Sequence, residues 1–129
     1  MTLDIATLSS WIGKTETMQE QLSPELVGRF NATLGSDFSV AVGESAPLLI
    51  HLCLTQPVLP ADQLGEDGHP RRGGFLPPVP LPRRMWAGGE MTFLEPFPSG
   101  AQVKRHSTIR HIEEKQGNSG RLYFVTVQH

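Results

Sequence analysis

Cysteine is almost absent from this 129-residue chain. The single Cys53 excludes an internal disulfide and any metal site built on several thiolates. Long apolar runs are missing too. The longest, Leu48 to Leu54, is too short to span a bilayer and is interrupted by His51. Charge of one sign is lacking: 11 basic against 13 acidic side chains leave a net charge of −2 and a pI near 6.2. That balance argues against a nucleic-acid-binding or polybasic membrane surface. The opening Met1-Thr2-Leu3-Asp4 has no basic start of a secretory signal, so a soluble chain in the cytoplasmic, reducing compartment is expected, with no nucleic acid and no membrane as partner. There is no hydrolase nucleophile motif, Walker loop, dinucleotide glycine fingerprint or metal-spaced His/Glu pair, so neither metal nor cofactor is expected. Internal repeats are absent.

What is present is an ordinary globular content, 38% hydrophobic, in a length that suits one small domain. Proline is the outlier. Seven of the 11 prolines fall between Pro57 and Pro82. Leu8 to Ile12 suits a short helix, and Lys14 to Leu22 reads as a strand. The clearest helix follows. Ser23 can cap it, Pro24 suits its first position and Glu25 complements its dipole. Leu26, Val27, Phe30, Thr33 and Leu34 keep helical spacing, and Gly35 stands where a left-handed residue is wanted. Ser36 to Ala46 reads as irregular chain. In Pro47 to Gln56 periodicity alone leaves helix and strand open. Pro47 and the leucines favour a buried helix, with Leu49, Ile50 and Leu52 inside.

Residues 57–84 form a Pro/Gly-rich loop whose Phe75, Leu76, Val79 and Leu81 are expected to pack on the rest. Met85 to Leu94 reads as a strand with Gly88-Gly89 as a bulge or close approach. Ala101 to Gln116 is a long strand, Gly117-Asn118-Ser119-Gly120 a hairpin turn, and Arg121 to Gln128 the next strand. Val103 and Ile109 share a face in the long strand while Ile112 falls on the other, which a bulge between them would reconcile. The last strand is still running at His129, so the unit is expected to be incomplete at its C-terminal end. The order implies an α+β antiparallel sheet covered by the helix at Pro47 to Gln56.

Few residues offer chemistry on spacing alone. His106 and His111, five apart on a strand, are expected on opposite faces and so cannot share a metal. His51 reads as a satisfied core histidine, Cys53 as a small buried hydrophobe, and Asp62, Glu66 and Asp67 as solvated loop charges. Arg71-Arg72 and Arg83-Arg84 are more informative. They bracket an apolar, proline-stiffened loop, a pattern that suits a ligand with phosphates at one end and an apolar tail at the other. A solubilised loop is the alternative.

The run His69-Pro70-Arg71-Arg72-Gly73-Gly74-Phe75-Leu76-Pro77-Pro78-Val79-Pro80-Leu81-Pro82-Arg83-Arg84-Met85-Trp86-Ala87-Gly88-Gly89 resembles the signature of the N-terminal half of MaoC-like acyl-thioester dehydratases. That group includes mesaconyl-C4-CoA hydratases and 3-hydroxyacyl-thioester dehydratases. Trp11-Ile12-Gly13-Lys14, Arg29 to Gly35, Ser107-Thr108-Ile109 and Phe124 to Val127 fit as well. The resemblance implies a hotdog fold, a sheet wrapped around a central helix. It implies reversible hydration of 2-enoyl thioesters of coenzyme A or acyl carrier protein to 3-hydroxyacyl thioesters. That reaction needs an Asp and a His about five residues apart to activate water. At the matching place Asp37 is present, but five residues on stands Val42.

No catalytic residue is therefore assigned. Residues 1–129 are expected to form one non-catalytic hotdog unit, partnered by a catalytic half in the same protein or in a second subunit, and to form a homo-oligomer such as a dimer. Arg71, Arg72, Phe75, Leu76, Arg83, Arg84, Trp86, Gly88 and Gly89 are the expected substrate-binding residues. A hotdog thioesterase would need a carboxylate on its central helix, and Pro47 to Gln56 has none. A hotdog acyl-thioester binding or scaffold protein without a reaction of its own is the remaining alternative.

Overall fold

A computed structural model describes residues 4–129. It contains α1 (Ile5–Ser9), β1 (Thr15–Gln21), α2 (Pro24–Leu34), β2 (Gln102–Gly117) and β3 (Gly120–Gln128), with one-turn 3-10 segments at Ile50–Cys53 and Ala61–Gln63. The strands form one antiparallel sheet in the order β1-β2-β3. Among the described residues no helix is long and apolar enough to cross a membrane.

Helix α2 forms for the reasons its sequence gives. The Ser23 hydroxyl accepts the Leu26 N–H at 3.1 Å, Pro24 occupies the first turn, and Gly35 ends the helix at φ +69°, where a Cβ would be strained. The β2–β3 hairpin also follows its turn residues: Gly117 pairs with Gly120, and Gly120 adopts φ +120°. Its register slips between Ile109 and His111, where β2 carries one extra residue, Arg110. That bulge reconciles the hydrophobic pattern. Ile109 and Ile112 are both buried and share one apolar cluster, which an unbroken strand would forbid.

The chain divides into two compact units. The first holds the N-terminal residues through Thr17 with Pro57–Trp86 and His106–His129; the second holds Met18–Gln56 and Ala87–Arg105. In the second, Val27 of α2 packs with Leu22, Ala46, Ile50, Leu54 and Val103, and Leu26 and Phe30 lie against them. In the first, Leu8, Ile109 and Ile112 form the centre. Trp11, Phe75, Val79, Tyr123, Val125 and Val127 surround it.

Several expectations need correction. Pro47 to Gln56 is not a helix. Only Ile50–Cys53 makes a turn, with i to i+3 hydrogen bonds, because Leu49 (φ +74°) and Thr55 (φ +57°) are left-handed and no right-handed helix runs through such residues. Ile50 and Leu54 are buried, while Leu49 and Leu52 are 42% and 53% exposed and Cys53 is exposed as well. The helix that shares a core with β2 is α2. Met85 to Leu94 is exposed chain rather than a strand, with no ladder partner among the described residues. Its two glycines weaken β-structure, and no neighbouring strand compensates. The first helix starts three residues earlier than expected, because Asp4 caps it by accepting the Thr7 N–H at 2.8 Å. Finally, the bulge at Arg110 puts His111 on the exposed face that also carries His106, not on the opposite one.

Candidate functional site

The loop 57–84 is irregular but tied down. Phe75 and Val79 enter the cluster of Ile109 and Ile112, and Pro77 is buried. The Gly74 carbonyl accepts from the Trp11 indole at 3.1 Å and from the Lys14 ammonium. Gly73 turns the chain at φ +95°, and its N–H reaches the Leu76 carbonyl at 2.9 Å. The expectation that the loop packs on the rest holds. With four prolines from Pro77 to Pro82, few N–H groups there need partners and little backbone entropy is lost on ordering.

The four arginines separate into two kinds. Arg72, half-buried, donates to the Val79 carbonyl at 2.8 Å and to the Leu81 carbonyl, closing the loop on itself. Arg71 donates to the Leu64 carbonyl at 3.3 Å. Arg84 lies 3.7 Å from the Asp67 carboxylate. Arg83 is exposed and has no hydrogen bond or ion pair among the described residues. Asp67 is thus less of a free solvated charge than its sequence context suggests. The His69 backbone N–H, and after it the charges of Arg84, His69 and Arg72, hold its carboxyl below the ordinary carboxylate value against some opposing desolvation.

Of the expected binding residues, Phe75 and Leu76 are half-buried, with Phe75 given to the apolar cluster. Trp86 is 81% exposed, next to Met85 at 85%. Those residues belong to the first unit, whereas Gly88 and Gly89 belong to the second, in exposed chain where a Cβ at Gly88 would meet nothing. In the second unit, Asp37 and Val42 follow α2 and both are exposed. The Val42 side chain sits 3.0 Å from where a Gly100 Cβ would stand. His51 is half-buried edge-on to Phe93, ring centroids 5.8 Å apart, and near Phe97. Its ring makes no hydrogen bond among the described residues.

One feature is invisible to spacing. His106, Thr108, Arg110, Gln128 and His129 line an open depression of about 200 Å³ on the exposed sheet face. Only the bulge at Arg110 and the pairing of Thr108 with Gln128 bring these five together, and neither register is printed in the sequence.

Comparison with known proteins places this arrangement. Residues 49–129 match the family model described as hydroxyacyl-thioester dehydratase type 2. The chain is also 41% identical, over 119 residues, to the mesaconyl-C(4)-CoA hydratase of Chloroflexus aurantiacus. The match covers 92% of this chain but 42% of that protein, so the chain spans less than half the length of the curated relative it matches.

Proposed function

The chain belongs to the hydroxyacyl-thioester dehydratase type 2 family, whose fold is the hotdog, and from that premise we propose that it is the substrate-supporting N-terminal unit of an acyl-thioester hydratase/dehydratase. The reaction adds water reversibly across a 2-enoyl thioester of coenzyme A or acyl carrier protein and gives the 3-hydroxyacyl thioester. The observation that carries the reading is the position after α2. Asp37 is there, but Val42 stands where the resemblance calls for histidine. A positioned general acid–base group is worth about 10²–10⁴ in rate. Residues 1–129 then form one hotdog unit without that pair. The pair belongs to a second hotdog unit, in a longer form of the same protein or in another subunit.

The role of this unit is to hold the carrier and line the mouth of the acyl tunnel. Arg83 is the loop cation not engaged by the chain itself, and Trp86 and Met85 stand exposed beside it. Arg71, Arg72 and Arg84 support them by fixing the loop. In the second unit, exposed apolar side chains such as Val42 and Leu94 suit contact with another hotdog unit, so association into a dimer is expected.

The test is kinetic. A polypeptide of the relative's length that begins with this chain should hydrate crotonyl-CoA. Replacing Arg83 and Trp86 together by Ala should raise KM for coenzyme A thioesters and leave kcat nearly unchanged, because contacts to the carrier are the same in ground and transition states. A longer polypeptide that binds these thioesters without turnover would instead establish the non-enzymatic binding module.

A further inference from the structure

We propose that the open edge of β3 is an interface for a second copy of this chain, the two β3 strands pairing antiparallel about a two-fold axis at Phe124. Among the described residues β3 has β2 on one side and no strand on the other. No loop backbone bonds to it either. Such an edge is a template for another chain, and folds that stay single blunt it with proline, lysine, other charges or a bulge. β3, Gly-Arg-Leu-Tyr-Phe-Val-Thr-Val-Gln, has no proline, lysine or carboxylate. Its one charge, Arg121, is already paired with Glu114 at 3.0 Å, and the bulge lies in β2. At the opposite edge of the sheet, β1 carries Glu16 and Glu20 among polar residues. One edge is blunted by charge and the other is not.

The register follows from the ladder. Gly117 and Gly120 close a two-residue turn, so they are a hydrogen-bonded pair. Alternation then turns the N–H and C=O of Leu122, Phe124 and Thr126 to β2, and those of Arg121, Tyr123, Val125 and Val127 outward. An axis at Phe124 sets Arg121 opposite the partner's Val127 and Tyr123 opposite the partner's Val125. Every outward group of both strands is then paired. An axis at Tyr123 would leave Val127 without an opposite strand residue, and an axis at Val125 would do the same to Arg121.

Side chains keep their faces in this register, because opposed residues have the same parity. Tyr123, Val125 and Val127 lie against the cluster of Ile109 and Ile112, so apolar side chains meet apolar side chains across the contact. On the other face the two Phe124 rings form a non-hydrogen-bonded pair, with Cα atoms about 4.5 Å apart. Leu122, 41% exposed, meets the partner's Thr126 there. No like charges are opposed. The contact uses the same edge of both copies, so assembly closes at two. It lies wholly in the first unit, involves neither Val42 nor Leu94, and does not rest on the hydratase reading.

Sedimentation velocity of the chain from about 1 to 200 μM tests the proposal, with amide exchange followed by NMR. The expected result is a monomer–dimer equilibrium that stops at two copies. Exchange should slow at Tyr123, Val125 and Val127 as the dimer forms, and stay constant at Phe124, which bonds to β2 throughout. Phe124→Lys places two ammonium groups face to face at the axis and should weaken the dimer about tenfold or more. Glu113, its cross-strand neighbour, can take the new charge, so the hairpin is kept. Phe124→Glu should weaken the dimer likewise; Lys115, whose ammonium lies 4.9 Å from the Phe124 ring, is its neighbour. An equimolar mixture of the two variants should regain association. Leu94→Asp, in the second unit, should leave association within about twofold.

A chain that stays monomeric, with the Tyr123 and Val125 amides exchanging rapidly at every concentration, would overturn the proposal and leave the edge to a strand of another protein. A dimer lost with Leu94→Asp and untouched by Phe124→Lys would overturn it too, and would place the contact in the second unit. Assemblies that grow past two copies would contradict the two-fold register. None of these outcomes depends on turnover, so failure here is distinct from failure of the hydratase reading.

Discussion

The two units bury apolar surface by different means. In the second, α2 brings Val27 to Ile50, Leu54 and Val103. A helix satisfies its own backbone, so its cover needs only a capping serine and a terminal glycine. In the first, Ile109 and Ile112 are covered by Leu8 and by Phe75 and Val79 of a segment with little regular structure. Such a segment must satisfy its carbonyls with side chains. Arg72 serves Val79 and Leu81, Arg71 serves Leu64, and Trp11 and Lys14 serve Gly74. Partners in this proline-rich segment therefore differ from one arginine to the next: Arg71 and Arg72 serve loop carbonyls, Arg84 faces Asp67, and Arg83 does neither.

The largest losses are expected at the centres of the two clusters. Ile50→Ala and Ile109→Ala should each cost about 2–5 kcal/mol in chemical denaturation, since both side chains are fully buried. Leu49→Ala and Leu52→Ala, neighbours of Ile50 but exposed, should stay within about 0.5 kcal/mol. Equal losses at Leu49 and Ile50 would restore a buried helix in place of the single turn. The loop supplies the next contrast. Arg72→Met leaves two carbonyls unserved and should cost about 1–3 kcal/mol, while Arg83→Met should cost almost nothing. Equal values would show that Arg72 does not brace the loop. Ser23→Ala, which removes the α2 cap, should cost about 1 kcal/mol.

The smallest effect is a pH dependence. Asp67 is held below the ordinary carboxylate value by the His69 N–H and then Arg84, and Asp4 by the Thr7 N–H. A depressed folded-state value means that these groups stabilise the fold in full above the ordinary carboxylate value, near pH 4. The contribution is lost as pH falls through the lower folded values. Asp67→Asn should therefore flatten the acid limb of a stability profile and leave its neutral region parallel to that of the parent.

Much of this was legible in the residues. Ser23-Pro24 and Gly35 marked both ends of α2, Gly117 to Gly120 marked the hairpin, and the clash of parity between Ile109 and Ile112 announced the bulge. These are local signals, set by capping, turn chemistry and side-chain alternation. The segment around Ile50 was not legible, because leucine enrichment reports burial in general and says nothing of the left-handed residues that break the turn. Met85 to Leu94 reads as a strand by composition, but a strand exists only where a partner pairs with it. The resemblance carried by Arg71 to Gly89 found the family. It could not tell Arg72, spent on carbonyls, from Arg83, which is free of them. The depression at Arg110 depends on register between strands, which no single segment encodes.

The role proposed for this unit is to support a substrate without activating water. Steady-state hydration of crotonyl-CoA by the chain alone, at high protein concentration, tests it most directly. No rate above the uncatalysed background is expected, and no difference between the chain and its Asp37→Ala variant. A clear rate that disappears on Asp37→Ala would contradict it and place a working acid–base site in this unit.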